Sequence, residues 1–363
     1  MQLEKLLKEE WGLTVKKLTP VRSAWRVEAE EGIFACKFSR SNPERLKLLV
    51  EAQEYLLAAG FNRFARLVPT RTGQWLVQPQ EKACLLTTWV NGEEPSYYRQ
   101  RDLLAVSRVL GQFHRVACQF PAARVGQGKD KLGQWPRKLE KKKEELVQSL
   151  ELARQEGNRD LFSIILLSRQ KWLLEMAREA VEAVRHSLYQ QLVESYQREG
   201  LAPLCHGDTA MRNFLLRLNG GQTEGWLIDF DSLAVDLPVV DLWRLLRRSL
   251  RRNYWSQPLA FAMLRSYHRE RKMTREEVEV LTALLTFPEK EWRLAKAYYR
   301  QLDQLSARDK CQWAGKLLDL VAGHEDKEAL LQQLPQVPLT EEYIPWLNGL
   351  GKEGADSENR RPG

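Results

Sequence analysis

The run His206-Gly207-Asp208-Thr209-Ala210-Met211-Arg212-Asn213, followed by the apolar Trp226-Leu227-Ile228-Asp229, gathers residue types that could transfer a phosphoryl group. An acid, an amide five positions on and a second acid at the end of a strand-like run make a base and a metal-binding pair. Asp208 would orient an acceptor hydroxyl and take its proton. Asn213 offers a neutral oxygen and Asp229 an anionic one. Both are hard ligands of the kind Mg²⁺ prefers, with water and phosphate oxygens completing its octahedron. An H-G-D tripeptide alone is a weak signal, and Asp and Asn also belong in turns. The order of motif, hairpin and acid is what carries weight.

The elements that must hold these groups can be read nearby. Phe214-Leu215-Leu216 and Trp226 to Phe230 predict two paired strands, with Asn219-Gly220-Gly221 as the turn. Upstream, residues 1–92 read as a mixed α/β lobe. Leu3 to Trp11 is an amphipathic helix. Val15–Leu18, Ala24–Ala29 and Ile33–Phe38 are strands, with Glu30-Glu31-Gly32 as a turn. A helix opened by Ser41-Asn42-Pro43 runs to Ala59-Gly60. Two further strands follow at Trp75–Pro79 and Cys84–Val90, and Asn91-Gly92 ends the lobe. Lys37 lies in the third strand, where a charge among apolar residues needs a reason. It could pair with nucleotide phosphates and with a glutamate of the next helix. Glu54, on a face with Val50 and Leu57, or Glu51 would be that partner. The bland alternative is a lysine snorkelling from an edge strand.

Residues 93–350 read as mainly helical, with an insertion at about 120–200. Asp102 to Val116 is a helix ending near His114, a packed or capping histidine. Two long helices, about 137–155 and 160–199, precede the H-G-D motif. Gly126-Gln127-Gly128-Lys129 is not a Walker loop, because Ala123 and Asp130 stand where that motif needs Gly and Ser/Thr. The charge run Arg137 to Glu145 reads as a solvated helix face. Beyond Asp229, Asp231 could assist the metal or hold the loop. Asp241 begins a helix and would cap it. Arg244, Arg247, Arg248, Arg251 and Arg252 stripe one side of that helix, ordinarily a solvent face, and otherwise a lure for an anionic acceptor or partner. Thr274-Arg275-Glu276-Glu277 is a capping box, and a further helix starts near Glu289. The polar tail, residues 351–363, reads as disordered.

Composition sets outer bounds. The 363 residues, 43% hydrophobic and 29% charged, suit a two-lobed globular chain. No apolar run spans a bilayer and the N-terminus lacks a signal-peptide core, which predicts a cytoplasmic protein. Five scattered cysteines without a C-x-x-C pair point away from a disulfide framework or zinc cluster, and Cys205 reads as a small core residue. A net charge of +8 suits anionic partners such as a nucleotide. No RNA-binding or zinc-finger signature points to nucleic acid. Most of the twelve tryptophans should pack in the core. Only eleven residues separate Asp229 from Asp241, and no A-P-E motif follows, so a small acceptor fits better than a protein substrate.

With its H-G-D-x4-N and later I-D, the chain resembles the aminoglycoside phosphotransferase/choline kinase superfamily. More closely it resembles the CotS-type spore coat proteins of endospore-forming bacteria. That likeness rests on Leu85 to Gly92, Gln134-Trp135-Pro136, Cys205 to Asp208, Asp229 to Pro238, Leu285 to Pro288 and Tyr298-Tyr299, and covers nearly the whole chain except the tail. It implies an α+β, bilobal protein kinase-like fold, with an antiparallel sheet in a small N-lobe and a large helical C-lobe. It further implies ATP and Mg²⁺ as ligands, Asp208 as base, Asn213 and Asp229 as metal ligands, and Lys37 as phosphate lysine. Production in the mother cell, then residence in the spore coat beside other coat proteins, is the implied location. The turn Thr19 to Ala24 has no glycine to let backbone approach phosphates. It therefore favours the alternative reading, a kinase-fold scaffold of the coat with weak or no catalysis.

Overall fold

A computed structural model of the chain describes residues 3–39, 43–78, 83–126, 130–337 and 339. The N-lobe is built on alternation. Strands β1 (Val15–Val21), β2 (Ala24–Ala29), β3 (Gly32–Ser39) and β4 (Ala83–Thr88) form one antiparallel sheet in that order, preceded by helix α1 (Leu3–Trp11). Val27, Cys36, Cys84 and Leu86 point to one side and pack on Leu6, Leu7 and Trp11 of α1. Ala35, Lys37, Leu85 and Thr87 take the other side and line a cleft. Successive residues face opposite ways, so the pleat itself delivers Lys37 to the cleft. Its register opposite Ala24 and Leu85 sets it beside the β1–β2 turn. Helix α2 (Pro43–Ala58) lies between β3 and β4 in sequence. The Ser41-Asn42 opening expected for it lies outside the described residues.

The expected strand at Trp75–Pro79 is reduced to one bridge, Val77 to Cys84. The edge of β4 is already occupied. Val68 donates to Leu86 O at 2.8 Å and Thr88 to Arg66 O at 2.8 Å, so residues 66–68 take the bonds a longer strand would need.

The C-lobe begins with α3 (Gln100–Ala117), then α4 (Trp135–Glu156), α5 (Leu161–Ser168), α6 (Gln170–His186) and α7 (Tyr189–Arg198). Three helices thus replace the single one expected over 160–199. Between α6 and α7, Ser187 is extended (ψ 168°) and its hydroxyl accepts the Tyr189 N–H at 3.2 Å, a local bond that competes with helix continuation. Short strand β5 (Leu204–Cys205), the hairpin β6 (Phe214–Asn219) with β7 (Gln222–Leu227), and β8 (Ala234–Val235), which pairs with β5, frame the His206–Asn213 motif. The hairpin turns on Gly220 and Gly221, at φ 55° and 80°, the left-handed pair a two-residue loop requires. Helices α8 (Pro238–Leu250), α9 (Gln257–Glu270), α10 (Arg275–Thr286), α11 (Glu289–Arg300), α12 (Ala307–Val321) and α13 (His324–Gln333) complete the lobe. Helix α10 carries the expected Thr274/Glu277 capping box. Helices α3 and α9 cross closely, for a Cβ on Gly111 would sit 2.7 Å from Tyr267 O. That crossing sets His114 against Tyr267, directly beneath the motif. Among the described residues no helix is long and apolar enough to cross a membrane.

Candidate active site

The motif loop is shaped by Gly207. Its φ is 82°, and a Cβ there would lie 2.0 Å from Ser232 O. The carbonyl of the Asp229–Ser232 turn therefore rests against the glycine Cα, which ties the two acidic segments together. Gly207→Ala should cost at least about 2 kcal/mol, from left-handed strain plus a backbone clash. A melt superimposing on wild type would contradict this packing. His206 fixes the same two segments through its side chain. Nε2 lies 2.9 Å from Ile228 O and Nδ1 3.4 Å from the Asp208 N–H, which fits a neutral ring with its proton on Nε2.

Asp208 is reached by three side chains. Arg248 Nη2 donates to Oδ1 at 2.9 Å, Arg212 Nη2 to Oδ2 at 2.8 Å and Asn213 Nδ2 to Oδ2 at 3.1 Å. Because Asn213 Nδ2 is turned to Asp208, the amide oxygen is the atom left for a cation. Ile228 N–H donates to Asn213 O at 2.9 Å, so the backbones leading to Asn213 and Asp229 are joined. Asp229 itself sits at φ 62°, ψ 67°, a left-handed conformation that few side chains adopt and Asp tolerates better than most. Lys37 Nζ donates to Asp229 Oδ1 at 2.8 Å and pairs with Asp231 Oδ2 at 2.8 Å. Burial works to lower the pKa of this ammonium. Its bonds to the two carboxylates outweigh burial and hold it above the ordinary lysine value, so it stays charged.

Lys37, Asn213 and Asp229 line one cleft between sheet and helical lobe. Its volume is about 550 Å³. Its inner wall is apolar, with Ala35, Leu67, Leu85, Leu215 and Ile228 among the lining residues. Neither glutamate joins them. Arg124 takes both, Glu51 at 2.6 Å and Glu54 at 3.8 Å, so the expected Lys37–glutamate pair is absent from this geometry. The helical phase explains the difference. Leu48, Leu49, Ala52 and Leu56 are buried, while Leu57, on the Glu54 face, is exposed. The α2 residues facing the cleft are Leu49 and Gln53, and Gln53 is the polar one. It accepts from Leu67 N–H at 2.8 Å and donates to Ala65 O at 3.3 Å. A cleft residue of this kind was not read from sequence; its i+4 spacing from Leu49 was the available signal. At the cleft mouth the β1–β2 turn is two residues, with Arg22 at φ 54°. Arg22 pairs with Glu94 and donates to Arg212 O at 3.4 Å, so the turn reaches the helical lobe.

Asp241 has a role other than the helix cap expected of it. It is fully buried, and its carboxylate accepts from His206 N–H at 2.6 Å and Gly207 N–H at 3.0 Å, in a different segment. Arg244 donates to it at 3.0 Å, and His114 Nε2 faces it at 3.4 Å. Burial alone would raise its pKa, but the His114 contact and the Arg244 charge hold it well below the carboxylate range. His114 is itself pushed below its ordinary value, chiefly by burial. Its Nδ1 lies 2.7 Å from Tyr267 OH. The order fits a chain of donors running Tyr267 to His114 to Asp241, with neutral His114. Cys205 is fully buried and contacts the carbonyls of Asp236 and Leu237 at 3.3 Å each, as a small core residue would.

Two features expected to face solvent do so only in part. On α8, Arg247 is 8% exposed and Arg248 is aimed at Asp208. In the charge run of α4, Lys142 Nζ is enclosed by Trp135, Trp243 and Trp292 at 5.1, 5.6 and 5.0 Å and pairs with Glu289 at 2.7 Å. Several of the tryptophans are thus packed around a cation of the chain's own.

A small antiparallel sheet, a helical lobe and a cleft lined by lysine, amide and acid define a kinase-like protein of the phosphotransferase fold. The chain belongs to the family described as "Spore coat putative kinase YutH", whose model matches residues 4–334. It is 26% identical over 318 residues to spore coat protein S of Bacillus subtilis, covering 87% of this chain and 88% of that protein. Among solved structures it resembles an aminoglycoside phosphotransferase of Alicyclobacillus acidocaldarius (TM-score 0.78, 22% identity, 93% of this chain and 96% of that one). It also resembles a spectinomycin phosphotransferase captured with ADP and spectinomycin (TM-score 0.59, 13% identity, 91% and 98% covered).

Proposed function

We propose that the chain is a Mg-ATP-dependent phosphotransferase acting on a small hydroxyl-bearing acceptor, and that it resides in the spore coat after synthesis in the mother cell. The observation that carries the reading is the convergence of Lys37, Asn213 and Asp229 on one cleft beside Asp208. The apolar inner wall suits an adenine ring, and Lys37 with Arg22 offers cations where phosphates would lie. Membership of a spore coat kinase family supports both chemistry and location.

The donor set fits a hard divalent ion. Asn213 presents its amide oxygen, and the Asp229 carboxylate is already turned toward a cation, Lys37. These two residues would hold Mg²⁺, which when bound supplies charge neutralisation to the phosphates. The chain's own groups do the rest. Lys37 offsets phosphate charge. Asp208 orients the acceptor hydroxyl; as that oxygen bonds to the γ-phosphorus and the β–γ bridging P–O bond breaks, Asp208 takes the proton and ADP leaves.

A thermal scan with and without Mg-ATP tests this reading. Nucleotide at 100 times its dissociation constant should add about 2.7 kcal/mol, a rise of a few degrees, in wild type and not in Asp229→Ala. Absence of any magnesium-dependent rise at millimolar nucleotide would favour the scaffold reading, which the glycine-free turn at Arg22 also supports.

A further inference from the structure

We propose that the acceptor is anionic, a hydroxyl compound whose phosphate or carboxylate is held by Arg248 beside Asp208. This rests on the phosphotransferase reading and names its substrate class.

Arginines line α8 and continue into the turn that follows it. Arg248 Nη2 touches the proposed base, so the basic face begins at the reacting position. Arg252 stacks on Tyr97 at 4.1 Å, and the Tyr97 hydroxyl accepts from Met211 N–H at 3.4 Å. The 3-10 turn after α8, Arg251–Asn253, is therefore tied through Tyr97 to the motif loop. Arg247 Nε and Arg248 Nη1 are buried and have no hydrogen-bond partner among the described residues. An unmade bond to a buried donor costs about 1–3 kcal/mol, more for a charged group, so these donors favour an oxyanion that comes within reach.

Nearby acids do not supply it. Asp208 is shared between Arg212 and Arg248, Asp241 is engaged by Arg244, Glu289 by Lys142 and Arg293 at 2.7 Å each, and Glu291 by His324 at 3.3 Å. Like charges crowd here. Burial first, and like charges next, pull Arg251 and Lys290 below their ordinary values, with Arg252 acting on both. The C-terminal dipole of α8 favours cations, but by about 0.3–1 kcal/mol and near the surface. It explains neither a buried Arg247 with an open Nε nor the aim of Arg248.

A polyamine acceptor would meet this cluster with repulsion. Beside it, Trp135 and Trp292 are already taken by Lys142, and Tyr97 by Arg252. A guanidinium fork pairs with two oxygens of a phosphate or carboxylate. Arg248 would then turn from Asp208 to the ligand, leaving the base carboxylate to the hydroxyl.

The test is a thermal-shift titration of the full chain, saturated with Mg-AMP-PNP so that the nucleotide phosphates are in place. The probes are inorganic phosphate and malonate, each against sodium chloride of equal ionic strength, and tobramycin as a polycation. Wild type should be stabilised by at least one anion and not by tobramycin. Apparent affinity should weaken at least tenfold in Arg248→Gln and in Arg248→Met, and stay unchanged in Arg178→Gln, an exposed site on α6 with the same charge loss. Phosphate without malonate, or the reverse, tells which oxyanion the acceptor carries. Wild type indifferent to both anions, equal response in the two variants, or stabilisation by tobramycin alone would overturn the inference. Two site variants are used so that one misfolded protein does not decide the result. Failure of the phosphotransferase reading is separable, since Mg-AMP-PNP alone would then give no rise while anions titrated without nucleotide would still report the arginines.

Discussion

Asp208→Asn should slow phosphoryl transfer by about 10²–10⁴-fold, the usual span for removing a general base, while Mg-ATP still stabilises the protein as in wild type. Asparagine keeps the shape and can still accept from Arg212 or Arg248 through one oxygen. It cannot take the hydroxyl proton. The experiment does not wait for the natural acceptor, because slow Mg-ATP hydrolysis, with water as acceptor, reports the same step. Equal ADP release by variant and wild type would remove Asp208 from the base role. The two arginines make this sharper. Before any acceptor arrives each oxygen of the carboxylate is bonded to a guanidinium, and Arg212 with Asn213 still hold Oδ2 once Arg248 turns to the acceptor. Preorganisation of this kind suits a loose phosphoryl-transfer transition state, where positioning and charge matter more than proton abstraction. A loss near the low end of the range would fit that picture.

What could be read from the chain was local. The Gly220-Gly221 turn announced its hairpin because left-handed residues suit a two-residue loop, but the second strand, expected to run to Phe230, stops at Leu227 and leaves Asp229 two residues past it. Lys37 was legible as a charge in an apolar strand whose alternation set its face. Where two readings of a period competed, the sequence could not choose. Helix α2 carries Leu48, Leu49, Val50, Leu56 and Leu57, apolar on more than one side, and the phase that put Glu54 inward lost to the one that put Gln53 there. Tertiary partners were out of reach altogether. Arg247 looks like a surface residue until Trp243 and α11 close around it. The strand expected at Trp75 lost its place to residues 66–68 only because those reach β4 first in space. The same holds for Asp241, whose N–H partners lie 35 and 34 positions away.

That residue gives the largest expected effect on stability. Asp241→Asn should cost roughly 3–5 kcal/mol, with a fall in Tm of about 5–10 °C and loss of transfer. The fully buried carboxylate receives two backbone N–H groups of the motif, faces His114 and pairs with Arg244. An amide at 241 removes the charge that Arg244 needs and turns an NH₂ toward groups that are already donors. The motif loop would lose the anchor that positions Asp208, so activity and stability should fall together, unlike in Asp208→Asn. The pH dependence has a definite sign. Asp241 titrates below its ordinary 3.8 in the folded state, so its stabilisation is present above about pH 4 and is lost as pH falls toward the native value. Asparagine does not titrate. Urea midpoints of wild type and Asp241→Asn should therefore differ by a constant amount from pH 8 to about 4 and converge below it. Convergence already near neutral pH would mean that the carboxylate is not held ionised, and the donor chain from Tyr267 through His114 would have to be drawn with its protons elsewhere.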